Sequence, residues 1–203
     1  MSTKCSFRTA ILAATATLLI GCGDTTENTQ TKNAATEVGL AAAEDRWRQP
    51  LFSGLGGVDF PITTSSAAAQ NYFNQGLALS YAFNHAAADF AFTEATIYDP
   101  DCAMCYWGSA LVLGPNVNAN MVPDNAPRAF VLARKAKDLS ANISAKERML
   151  IDALEQRYLA IEPKGRASLN EAYADEMREV MKAFPKDAHI ATLAAESMMD
   201  VHP

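Results

Sequence analysis

The stretch that decides the fold is Tyr72–Gly108, YFNQGLALSYAFNHAAADFAFTEATIYDPDCAMCYWG. It reads as two helical runs divided by the turn Asn84-His85 and closed by Asp99-Pro100, then the start of a third run. Tyr72 and Phe73 are large, whereas Gly76 and Ala88 are small. A small residue on each helix lets the two backbones approach, and Phe92 then fills the space beside them. Tyr106 stands 34 residues after Tyr72, and Ala110 and Leu113 answer Gly76 and Leu79 at the same offset. Three matches at one offset make an internal repeat. A unit of this kind cannot bury its apolar face alone and must stack on neighbours.

Tyr72, Gly76, Leu79, Ala88, Phe92, Ala95 and Pro100 fall on the spacing of the tetratricopeptide (TPR) repeat. The expected fold is therefore all-α, a TPR-like solenoid of helical hairpins over residues 65–203. Working outward, Ser65 or Ser66 caps a first helix, Ala67 to Phe83, and a second runs from Ala86 to Tyr98. Asp101 is placed to cap a third, Cys102 to Leu113. The long loop Gly114–Pro127 then interrupts the pattern, and Arg128 to Leu139 restores it. Ser144 and Glu147 form a capping-box signature for a helix reaching Ile161, and Ser168 and Glu171 repeat it for a helix through Phe184. A last helix, Ala188 to Val201, has an apolar stripe of Ile190, Leu193, Ala194 and Met198 with no second half of a repeat to cover it. Solenoids need capped ends, so the chain is expected to be truncated at its C-terminus and to continue into further repeats.

The N-terminus reads as an address. Lys4 and Arg8 precede an apolar run, Thr9 to Ile20, too short to span a bilayer as a mature helix. Leu19-Ile20-Gly21-Cys22 resembles the bacterial lipoprotein box. Residues 1–21 are then a lipoprotein signal peptide, and Cys22 is the lipidated N-terminus of the mature chain. Gly23 is not the aspartate that retains lipoproteins in an inner membrane, which points to the outer membrane, facing the periplasm. Residues 22–38 lack large apolar side chains and read as a flexible tether. Residues 39–64 form a lead-in, with a short helix at Leu40–Trp47 and a Gly- and Pro-rich loop from Gln49 to Phe60. Losing Lys4 and Arg8 from the 17 basic residues leaves 15 against 23 acidic ones, a formal charge of −8. Such a chain is a poor partner for nucleic acid, and membrane association falls to the lipid anchor.

If the repeat register holds, Gln70, Phe73, Leu77 and Tyr81 of the first hairpin and Met104, Trp107 and Leu111 of the second line an inner groove suited to a peptide or partner helix. The same residues also fit a packed core, and both readings stand at this point. Cys102 and Cys105 form a C-x-x-C at a helix start. They read as a disulfide, as a Cu or Zn site with His85 or Met104 helping, or as redox-active or buried thiols. Covalent haem is disfavoured because Tyr106, not histidine, follows Cys105. His85 also reads as an ordinary turn histidine. Asn116, Asn118 and Asn120 read as partners for loop backbone groups. No paired carboxylates, Ser–His–Asp set or phosphate loop is present, so the sequence points to no enzyme and to no required cofactor.

The run Thr63–Asn118, with FNQGL, YAFNHA, DPDCAMCYWG and GPNVN, resembles a group of bacterial extracytoplasmic TPR proteins. ERMLIDALEQRY and AYADEMREVM are similar to the same group. The resemblance implies a TPR fold, more repeats after Pro203 and a role in binding or assembly, with no catalytic residue to carry over. The expected function is a membrane-anchored scaffold that binds a protein or peptide partner in the cell envelope. The alternative is a metal-handling or thiol-redox lipoprotein centred on Cys102 and Cys105.

Overall fold

The computed structural model describes residues 48–201. The expected signal peptide, Cys22, the expected tether, the expected helix at 40–47 and His202 lie outside the described residues. Those described are all-α: α1 (Ala67–Tyr81), α2 (His85–Tyr98), α3 (Ala103–Leu113), α4 (Ala126–Asp138), α5 (Ala145–Glu155), α6 (Ala167–Ala183) and α7 (Ala188–Met199). Short 3₁₀ turns at Pro123–Asn125 and Ser140–Asn142 lead into α4 and α5. Each helix packs on the next in sequence, α1 also touches α3, and α3 also touches α5. Among the described residues no helix is long and apolar enough to cross a membrane.

Local chemistry sets most helix starts. Ser66 caps α1 by accepting from the Ala69 amide, and Asn84 caps α2 by accepting from Ala87. The turn between them needs Phe83 at φ +56°, the one non-glycine residue in the left-handed region among those described. The Ser144–Glu147 capping box forms in full. Two expected caps are corrected. Cys102, not Asp101, caps α3, its Sγ accepting from the Cys105 amide at 3.1 Å. Ser168 and Glu171 form no capping box, because α6 begins at Ala167 with Arg166 at the cap position, two residues before Ser168. There Arg166 organises the approach. Its guanidinium holds the Glu162 carboxylate at 2.8 and 2.9 Å, Asn170 Oδ1 at 2.9 Å and the Arg157 carbonyl at 2.9 Å.

α3 is the hub. Its sequence is almost wholly apolar, and every residue except Tyr106 is buried. The Phe92 ring of α2 fills the space between Gly76 of α1 and Gly108 of α3. A Cβ on Gly76 would lie 2.7 Å from that ring, and one on Gly108 would lie closer still. The small-residue spacing therefore works as the sequence suggests, with Gly108 as a second contact that the repeat register did not single out.

Two further expectations are corrected. α5 stops at Glu155 rather than Ile161, and the chain turns inward so that Arg157 and Tyr158 are buried. The Tyr158 hydroxyl donates to the Ala110 carbonyl at 2.7 Å and rests on Gly114, the C-cap of α3, where a side chain would collide with it. The stripe of α7 is not left bare either. Ile190, Leu193 and Ala194 are buried, and α7 folds back on the start of the fold. His189 lies edge-on to Phe60 at 5.4 Å and stacked on Tyr81 at 5.8 Å, with its Nδ1 2.9 Å from the Tyr81 hydroxyl.

The described part of the lead-in has no regular structure, yet it is firmly held. Arg48 pairs with Glu94 at 2.8 Å and lies 4.8 Å over the Tyr98 ring. The buried Gln49 and Gln75 bind each other, and Gln75 also binds the Pro50 carbonyl and the Phe52 amide. Phe60 belongs to the core. Glu147 reaches from its capping box to take the Thr63 amide and hydroxyl at 2.5 and 2.6 Å.

Candidate functional site

The cleft with the shape and chemistry of a binding site lies between the α1–α2 turn and α7. Its volume is ≈ 530 Å³, in the range of ligand sites. Phe83 and His85 come from the turn, Pro115 and Val117 from the loop after α3, and Leu193, Glu196 and Met199 from α7. Tyr81 also lines the cleft, and the buried Arg157 forms the floor.

The walls are mostly apolar, and the floor is charged. Arg157 is 1% exposed, donates to the Pro115 carbonyl at 2.8 Å and pairs with the buried Asp200. Glu196 Oε1 lies 3.9 Å from the same guanidinium, with its side chain 25% exposed. The Tyr173 ring lies 4.5 Å beneath that guanidinium. Arg157 Nε and Asp200 Oδ1 are buried without a hydrogen-bond partner. Burial alone pulls the Arg157 guanidinium down, but Tyr158, Glu196, Tyr173 and Asp200 around it, in that order, more than offset that and hold it above its ordinary range. Burial pushes the Glu196 carboxyl up to about 7, with Arg157 opposing and Asp200 reinforcing the rise. Burial and then the Arg157 charge push His85 down, so its imidazole is neutral at pH 7. Burial, reinforced by Asp187, pushes the Tyr81 hydroxyl well up.

The inner-groove residues are placed differently from that reading. Phe73, Leu77, Met104, Trp107 and Leu111 are buried in the core. Three things cover the inner faces of α1 and α3: the segment at Phe60, helix α5 and the start of α7. Phe60 packs on Phe73 at 5.8 Å, and Trp107 Nε1 donates to the Leu150 carbonyl at 3.1 Å. Gln70 is half-buried and spends its amide on the backbone of Phe60 and Ile62. These residues hold the fold together, and of the seven only Tyr81 and Leu111 line the cleft.

Cys102 and Cys105 are joined as a disulfide and fully buried beside Ala69, Tyr72 and Ala95. In that state neither sulfur offers a thiolate to a metal or to another thiol. His85 is not with them. It opens α2, while the cysteines follow the end of that 14-residue helix, about 20 Å away at 1.5 Å per residue. Among the described residues no group of three or more His, Cys, Asp or Glu is placed to hold a metal. His85 instead meets Asn116 Nδ2 at 3.3 Å and stacks on Phe83 at 6.2 Å. Asn116 also accepts from the Asn118 amide at 2.9 Å, the loop role its residue type suggests.

No family model, curated protein or solved structure matches this chain. The site must be read from its own geometry. Sequence reasoning had no route to Arg157, Glu196 or Asp200. Each looks like an ordinary charged position on a helix, and the floor exists only once α7 folds back over the inward turn after α5.

Proposed function

We propose that this chain is a TPR-like binding module, lipid-anchored through Cys22 in the bacterial envelope, that takes a segment of a protein or peptide partner. The observation that carries the reading is the ≈ 530 Å³ cleft. Its mostly apolar lining, with Ser80, Tyr81, His85, Arg157, Thr192 and Glu196 as the polar groups, is the composition of a recognition site. Helix-on-next-helix packing and the Gly76–Phe92–Gly108 contact support a TPR-like arrangement. The address rests on Leu19-Ile20-Gly21-Cys22.

Two experiments test the parts separately. A photo-crosslinking residue at Val117, which lines the cleft, is expected to give a discrete adduct in intact cells. Ala195→Trp, an exposed position of α7 on the cleft wall, should abolish that adduct by filling the space. No adduct at Val117, or one that survives the tryptophan, overturns the recognition reading. Labelled fatty acid should enter the full chain and be absent from Cys22→Ser. Absence of label from the wild-type chain removes the anchor.

A further inference from the structure

The cleft floor has a charge balance that selects what enters it. One guanidinium, Arg157, stands against two carboxylates, Asp200 and Glu196. Arg157 and Asp200 pair with each other and are 1% and 2% exposed, so neither presents its charge at the cleft surface, although Arg157 Nε and Asp200 Oδ1 keep no hydrogen-bond partner. Glu196 is the member that remains partly exposed. It faces the same space as Phe83, Val117, Leu193 and Met199. No Lys or Arg other than Arg157 lines the cleft. The accessible ionisable group is therefore an acid, set among apolar walls.

Resting on the reading that the cleft receives a polypeptide segment, we propose that this segment carries a lysine or arginine among apolar residues, with the cation seated against Glu196. Charge complementarity argues for this occupant. A carboxylate or phosphate brought to the same place would meet Glu196 with no free cation to compensate it. The long stem of Lys or Arg can lie along Phe83 and Met199 while its head reaches the carboxylate. The surplus of acidic over basic residues in the whole chain, −6, favours the approach of a basic partner.

The groups that face Glu196 are Arg157 from the turn after α5, Asp200 at the end of α7, Tyr158, and Tyr173 from α6. His85 and Tyr81 share the cleft with it. Burial holds the Glu196 carboxyl near neutrality. An arriving cation favours its charged form, so binding near neutral pH releases a proton.

The test is selection of a random displayed peptide library against the full chain, in parallel with Glu196→Gln, Glu196→Lys and Ala195→Trp. Wild type is expected to enrich Lys or Arg next to apolar residues. Glu196→Lys should exchange that preference for Asp or Glu, and the isosteric Glu196→Gln should flatten it. A selected peptide made with its basic residue replaced by Glu should bind wild type about tenfold more weakly or worse. Calorimetry at pH 7 in buffers of different ionisation enthalpy should report proton release for wild type and none for Glu196→Gln. Apolar peptides enriched without charge preference, alike for wild type and Glu196→Lys, overturn this inference and leave the cleft reading standing. Enrichment that survives Ala195→Trp, or none with any chain, overturns the cleft reading and this inference with it.

Discussion

Phe92 shows how single residues set the packing of the first three helices. Its ring lies against Gly76 and Gly108 at once, so both glycines are required by close approach and not by backbone conformation. Alanine is the better helix former by about 1 kcal/mol. Gly108→Ala is nonetheless expected to lose stability, by about 1–3 kcal/mol, because the added methyl overlaps a buried ring that cannot move aside. Chemical denaturation measures this, and a stabilised variant would show that Phe92 is not seated there. Trp107 makes a second test at this scale. It is 1% exposed and donates to the Leu150 carbonyl. Trp107→Ala should cost about 3–5 kcal/mol through cavity formation and the loss of the indole hydrogen bond. Partner binding should be lost only in proportion to unfolding. The aromatic and Met positions of α1 and α3 were legible as apolar and inward-facing. Whether that face is groove or core could not be read, because the covering groups come from Phe60, Leu150 and His189, far away in sequence.

Helices end where side chains from elsewhere stop them. α3 is capped by Cys102, whose sulfur accepts from the Cys105 amide and bonds Cys105 in the first turn. The disulfide closes a very short loop, so its constraint on the unfolded chain is small, about 1–2 kcal/mol. The double variant Cys102→Ser/Cys105→Ser is expected to fold with its melting temperature lowered by several degrees. The serine hydroxyl at 102 can take over the cap. Complete loss of folding would assign the pair a larger part than loop closure gives it. At the end of α5 the helical pattern continues in the sequence through Tyr158, but the hydroxyl of that residue is needed at the Ala110 carbonyl. Periodicity could locate the helix; it could not foresee a competing hydrogen bond. The Ser144–Glu147 cap was legible because both partners lie within four residues. The second task of Glu147, holding Thr63, was not.

For the described residues as a whole, the fold-back of α7 creates the cleft. It also sets a cost that depends on pH. Glu196 moves from an ordinary value of 4.5 to about 7 on folding. Between those values the folded chain holds more protons than the unfolded chain, so this residue's contribution to stability declines as pH rises through that window. It stays at its least favourable above about 7. Glu196→Gln should therefore gain on wild type between pH 5 and pH 8, by about 1–3 kcal/mol, read as a widening difference in melting temperature. A difference that does not change with pH would place the carboxyl in water.

Local pattern was enough to determine that the described residues are helical, where most helices begin, which faces are apolar and why Gly76 and Phe92 meet. Those features depend on neighbours within a helical turn or on the partner helix of one hairpin, and such neighbours are written close together in the chain. Tertiary structure alone decided that the inner faces of α1 and α3 are filled, that the stripe of α7 is covered, and that Arg157, Glu196 and Asp200 form one charged cluster. These outcomes depend on contacts between residues about 40 to 130 apart in sequence. Helical periodicity repeats every 3.6 residues and carries no record of which distant surface will close over a face.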